Sequence, residues 1–270
     1  MKNEVLYHIG FGKNDLGSSP PRIALLSGDP ERARFIAHDA PGVTLEKNLS
    51  ENRGLNSYLA CLPNGRRFIS ATSGMGAPSL SIVVNELVQV GVRAIIRVGT
   101  SGAIQVDVKM GSIVITRAAL CRQGAADDIA PREYPAAANP FLTMALVDAA
   151  RELKVDWHIG VTASVDTFFE GQERAETSAN KALLRALRGV TEEYRALGVL
   201  NYEMESGTLF KMGGVYKIAT ACVCAVIANR TQSETPDLDA KNRAVRDAIA
   251  VALRAAENFD DAYLDARFAH

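Results

Sequence analysis

The chain has 270 residues, 47% hydrophobic and 23% charged, which is enough to bury a sizeable core and ordinary for a globular protein. A formal net charge of -1 gives no whole-molecule field to draw nucleic acid, so any anion site must be local. No apolar run approaches the ~20 residues that span a bilayer. Residues 1–10, with Lys2, Glu4 and His8, lack the apolar stretch of a signal peptide, so no membrane is expected as partner and a cytoplasmic location is. The cysteines Cys61, Cys121, Cys222 and Cys224 form no CxxC pair, and the histidines His8, His38, His158 and His270 stand in neither HxH nor HExxH spacing. Free thiols and no catalytic metal are therefore expected.

In chain order, residues 22–27 (RIALLS) read as a buried strand closed by Gly28, with a short helix over 31–37. Residues 67–71 form a second strand. A helix over 78–90 follows, with Ile82, Val83, Leu87 and Val90 at helical spacing and Gly91 past its end. Residues 94–98 (AIIRV) are a strand broken at Gly99, and 112–116 and 159–164 continue the series. Helices are expected over 139–153 and 179–187. A strand over 200–204 feeds a helix over 205–212. The apolar run 217–228 is a core strand, placing Cys222 and Cys224 on one side of it. A polar loop, 231–238, has the composition of a lid, and an amphipathic helix over 239–259 closes the chain. Alternating strands and helices indicate an α/β architecture, where ligands sit beyond the carboxyl ends of the strands.

Several segments carry chemistry at such ends. Gly28-Asp29-Pro30-Glu31-Arg32 offers backbone amides, a helix start and a guanidinium fork for an anion; a plain tight turn explains it equally. Arg97 lies inside an apolar strand before Gly99-Thr100-Ser101-Gly102 and needs a buried anion, either a protein carboxylate or a ligand phosphate. Phe168-Phe169-Glu170-Gly171-Gln172-Glu173-Arg174 can read a planar pyrimidine edge with Gln172 and Arg174 and stack it on Phe168, or be only a polar loop. Glu205, after Met204, can hold paired sugar hydroxyls or simply charge a helix start. Arg230, at a polar stop after the longest strand, either reaches the base or is a surface arginine.

In this order the motifs GDPER, RVGTSGAIQ, VTASVDTFFEGQER, NYEMES and ANRTQ resemble the nucleoside phosphorylase family over nearly the whole chain, from about Tyr7 to the C-terminal helix. The resemblance implies a single domain over 1–270, a central mixed sheet curled toward a barrel and flanked by helices. It implies reversible phosphorolysis of uridine to uracil and ribose 1-phosphate, a step of pyrimidine salvage. Phosphate would be bound by Gly28, Arg32, Arg97 and Thr100, with Arg53 reaching in from a neighbouring subunit. The ribose would be held by Met204, Glu205 and the neighbour's His8. The base would meet Ser101, Gly102, Phe168, Gln172 and Arg174, with Arg230 supporting it through ordered water. Catalysis would rest on Arg174, Gln172, Glu205 and Arg97.

Purine-cleaving relatives place an aspartate in the base site, where this chain has Asn229-Arg230-Thr231. Hydrolytic relatives have little use for Arg32, Arg53 and Arg97. A non-catalytic nucleoside binder would leave those arginines without a purpose. The pattern departs from the family at Gly54, where potassium-binding hexamers carry a glutamate, although Ser79 matches another ligand of that site. No cofactor is therefore expected, and phosphate enters as substrate. A homodimer and a trimer of dimers both remain open, as does tolerance of 2′-deoxynucleosides.

Overall fold

In the computed structural model of the chain, residues 5–231 and 238–264 are described. The first strand, β1 (Ile23–Ser27), is buried along its full length and leads into α1 (Pro30–His38). Then come β2 (Thr44–Ser50), β3 (Ser57–Cys61), β4 (Arg67–Thr72), α2 (Ala77–Gln89), β5 (Ala94–Ala103) and β6 (Ile113–Arg122). The chain continues through α3 (Gly124–Asp127), α4 (Pro140–Glu152), β7 (Trp157–Val165) and α5 (Val190–Ala196). It ends with β8 (Val199–Glu203), α6 (Ser206–Tyr216), β9 (Ala219–Asn229) and α7 (Leu238–Asn258).

The strands form one mixed sheet in the order β2-β3-β4-β1-β5-β8-β7-β6-β9, and β9 pairs back onto β5. That last pairing closes β5, β8, β7, β6 and β9 into a barrel, as the resemblance implied, with the remaining strands as an open wing. β5 and β9 run parallel from Ala94 opposite Ala219 to Ala103 opposite Asn229, so the two apolar runs end together at one rim. Strand alternation sorts the side chains by face. Ile96, Val98, Ala221 and Val223 pack under α1, α4 and α7, while Ile95, Cys222 and Cys224 pack under α2 and α6. Cys222 and Cys224 do share a face, with sulfurs 3.6 Å apart, and the four cysteines are free thiols.

Three local expectations need correction. β5 does not stop at Gly99 but runs on to Ala103. A Cβ at Gly99 would come 2.8 Å from Arg97 Nη2 and 2.9 Å from Cys224 Sγ, so the glycine serves close approach rather than a turn. Residues 179–187 are not an α-helix: only a 3-10 turn, Arg185–Leu187, forms there. Leu184 is exposed, so this leucine pattern buries no face, and α5 begins only after Gly189, which has φ +77°. The antiparallel wing β2–β3 was not expected, because β2 is largely exposed and mixes charged with apolar residues. The expected lid at 231–238 falls, over 232–237, outside the described residues.

Candidate active site

The turn after β1 is set by Gly28, where a Cβ would meet the Gly74 carbonyl oxygen at 3.2 Å. Asp29 caps α1 by accepting the Glu31 N–H at 3.0 Å, with Pro30 in the first turn. This places Arg32 in the first turn of α1, where its Nη1 donates to the Val98 carbonyl at 3.2 Å. Arg97 comes from β5 and is 4% exposed. Its Nε donates to Glu203 Oε2 at 3.1 Å and its Nη2 donates to Glu205 Oε2. Burial alone would lower the Arg97 pKa, but Glu205 and Glu203 outweigh it and hold the guanidinium charged. Burial lowers the pKa of Arg32, with Asp29 working against it. Arg32 Nε and Arg97 Nη1 are buried without a hydrogen-bond partner in the chain. A native protein rarely leaves charged donors in that state unless something else satisfies them.

The acids come from the junction of β8 and α6. Glu203 closes β8 and accepts from the backbone N–H groups of Glu205 and Ser206 and, at 2.7 Å, from the Ser206 hydroxyl. Glu205 stands at the start of α6 and accepts the Gly76 N–H at 2.6 Å. Burial pushes its carboxyl upward, and the nearby Glu203 adds to this while Arg97 opposes it. The sequence left Arg97 open between a carboxylate and a phosphate. The ion pair is present, and one guanidinium nitrogen is still unmatched.

The opposite end is made from the segment after β7. Arg174 Nε donates to Gln172 Oε1 at 3.2 Å, and its guanidinium sits 4.5 Å from the centre of the Phe168 ring. Gln172 is buried, whereas Phe168 is 47% exposed. Gly102, at the end of β5, lets this group close down: a Cβ there would come 3.3 Å from Arg174 Nη2. Arg230, just past β9, donates to the backbone carbonyls of Gln172 and Glu173 and lies 5.5 Å from the Tyr202 ring centre. Asn229 beside it is occupied structurally, donating to the Val108 carbonyl at 2.9 Å and accepting the Thr231 N–H at 2.8 Å.

One cavity of about 670 Å³ joins the two ends. Gly28, Arg32, Arg97 and Thr100 line it, with Met204 and Glu205, and with Ser101, Gly102, Phe168, Gln172 and Arg174. Arg230, His8 and Arg53 are not part of its wall. Arg230 holds the Gln172 backbone instead. His8 and Arg53 lie together elsewhere: Asn52 Nδ2 donates to the Tyr7 and His8 carbonyls at 2.8 and 3.0 Å, and the Arg53 guanidinium stands 5.7 Å from the Tyr7 ring centre.

Sequence reasoning missed Glu203, Tyr202 and Lys241, which also line the cavity. Glu203 had a signal, since an acid inside the strand expected over 200–204 needs a cation once buried, as Arg97 needs an anion. Lys241 had none, because nothing local tells that α7 brings it to the strand ends. The one cluster of metal-ligand type among the described residues, Glu203, Cys222 and Cys224, is already served by a cation. Arg97 takes a Glu203 oxygen, and burial pushes the Cys222 thiol upward so that it stays protonated.

Residues 22–263 match the Phosphorylase superfamily. The chain is 39% identical to a uridine phosphorylase of Salmonella typhimurium, over 95% of this chain and 98% of the relative. It is 38% identical to the uridine phosphorylase of Escherichia coli over the same shares. With that of Thermococcus kodakarensis the identity is 35%, over 92% of this chain and 86% of the relative. A match spanning the sheet, the helices and every wall of the cavity means that this chain belongs to the phosphorylase superfamily.

Proposed function

We propose that the chain is a uridine phosphorylase, converting uridine and inorganic phosphate reversibly to uracil and ribose 1-phosphate. The observation that carries this reading is a single cavity with partnerless guanidinium nitrogens at one end and a Gln–Arg edge beside an aromatic face at the other. The relatives of 35–40% identity that bear this name support it. Phosphate sits against Gly28, Arg32, Arg97 and Thr100, placed for attack on the anomeric carbon. Glu205 and the Met204 backbone hold the 2′- and 3′-hydroxyls. Uracil stacks on Phe168, bordered by Ser101 and Gly102, and its polar edge meets Gln172 and Arg174. As the glycosidic bond lengthens, positive charge grows on the ribose above the phosphate, and negative charge grows on uracil beside Arg174. Arg230 supports the base site by holding the carbonyls of Gln172 and Glu173.

Charge accounting supports an assembly. In the cavity wall Arg32, Arg97 and Lys241 are balanced by Asp29, Glu203 and Glu205, so apart from Arg174 at the base end the wall is close to neutral before a phosphate dianion arrives. A further cation is needed there, and Arg53, exposed beside His8 and away from its own cavity, fits delivery into a neighbouring copy. The smallest active unit is then a homodimer, a unit that a trimer of dimers would repeat three times. The reaction needs no cofactor. Potassium has no carboxylate to meet at Gly54, whose φ of +74° also disfavours a side chain there. Among the described residues no helix is long and apolar enough to cross a membrane, and a cytoplasmic location suits an enzyme of nucleoside salvage.

Uracil release from uridine, followed with and without phosphate and with inosine and thymidine in parallel, tests the reading. Phosphate-dependent cleavage of uridine and none of inosine is expected. Cleavage without phosphate would make the protein a nucleosidase, and binding of uridine without cleavage would make it a nucleoside-binding protein.

A further inference from the structure

The buried face of α2 carries Leu80, Val83, Val84 and Leu87, and among them stands one carboxylate, Glu86, which is 9% exposed. A charge on an apolar helix face is costly unless it is fully matched. Every partner of Glu86 comes from the N-terminal segment. Oε2 accepts the backbone N–H groups of Ile9 at 2.8 Å and His8 at 3.1 Å, and Oε1 lies 2.6 Å from the His8 ring Nδ1. Burial would raise this carboxyl, but the N–H of Ile9 and the ring and backbone of His8 overcome it and hold it below the usual range. Asn52 takes the His8 carbonyl from the other side, and the Tyr7 ring stands edge-on to the imidazole with centres 5.0 Å apart.

We propose that Glu86 is a positioning residue that fixes the ring orientation and tautomer of His8, so that Nε2 presents a hydrogen-bond acceptor to the 5′-hydroxyl of the sugar in the neighbouring copy's site. The proposal rests on the reading of His8 given above. An ionised carboxylate only accepts hydrogen bonds, so the proton between the two groups sits on Nδ1. In the neutral ring Nε2 then keeps its lone pair and accepts a hydrogen bond from a hydroxyl. A Gln at this position has a single oxygen. If that oxygen stays with the Ile9 and His8 N–H groups, the amide NH₂ faces Nδ1, which must then accept, and the ring proton moves to Nε2.

The first test is nitrogen NMR of the full-length wild-type protein with ¹⁵N-labelled histidine near neutral pH, the His8 signals being assigned by their loss in His8→Asn. A protonated Nδ1 with a bare Nε2 is expected, and a protonated Nε2 would overturn the proposal even if no variant folds. The second is the ratio of kcat/KM for uridine over 5′-deoxyuridine. Glu86→Gln should lower this ratio about three- to tenfold, mainly through the KM for uridine, with kcat on 5′-deoxyuridine within about twofold. His8→Ala should abolish the preference. If His8→Ala leaves the ratio unchanged, the reading of His8 fails. If His8→Ala abolishes the preference and Glu86→Gln leaves it intact, the role of Glu86 fails while that reading stands.

Discussion

The two ends of the cavity are built in different ways. At the arginine end the functional groups stand on sheet strands and first helical turns: Arg97 on β5, Arg32 on α1, and Glu203 and Glu205 where β8 meets α6. Arg97, Glu203 and Glu205 are buried and bonded mainly to one another, and half-buried Arg32 leans on the Val98 carbonyl. At the base end Phe168, Gln172 and Arg174 lie on an irregular segment after β7, steadied by Arg230 through two backbone carbonyls. The first end cannot be altered without disturbing the core, whereas the second can be altered with the core left standing. On the proposed reading, phosphate binding is therefore tied to the fold, and the choice of base is carried by a segment outside the sheet and its helices.

The largest break in that comparison is Arg97→Ala. It leaves two buried carboxylates with no cation, which costs about 3–5 kcal/mol of stability, and it removes a phosphate donor. A lowered midpoint in chemical denaturation, together with loss of phosphorolysis, is expected. Arg174→Ala should separate the two properties: kcat should fall roughly 100-fold, with only about 1 kcal/mol of stability lost with the Gln172 hydrogen bond and the KM for phosphate nearly unchanged. Equal losses in kcat and phosphate binding would count against its role at the leaving group.

Gly99→Ala probes the arginine end more gently. The added methyl would come within 2.8 Å of Arg97 Nη2, so thermal unfolding should show a loss of about 1–3 kcal/mol and the KM for phosphate should rise more than that for uridine. Phe168→Ala should be the mildest, weakening uridine by roughly 0.5–1 kcal/mol through lost stacking and a lost cation–π contact. Its KM for phosphate and its unfolding midpoint should stay where they were.

Much of this was legible in the chain itself. Apolar runs at 22–27, 94–98 and 217–228 announced the central strands because a strand buried on both faces must be apolar throughout. Glycines beside arginines at strand ends announced an anion site because such ends gather ligands. The helix expected over 179–187 was wrong for a definite reason: helical spacing makes a helix only when tertiary structure covers the face it defines, and Leu184 is left exposed. Glu86 was passed over because one acid on an apolar helix looks like a surface residue until its partners, distant in sequence, are in place.

By itself, then, the sequence determined the α/β class, the central strands and the residue types that gather at their carboxyl ends, since periodicity and turn chemistry are local. Only the tertiary structure decided that β9 closes a barrel on β5, that Arg97 is shared by two acids, and that Lys241 reaches the cavity. It also decided that Arg230 holds backbone rather than lining the cavity and that His8 is clamped by Glu86. Each of these joins residues far apart in the chain, and no local pattern encodes which distant group will satisfy a buried charge.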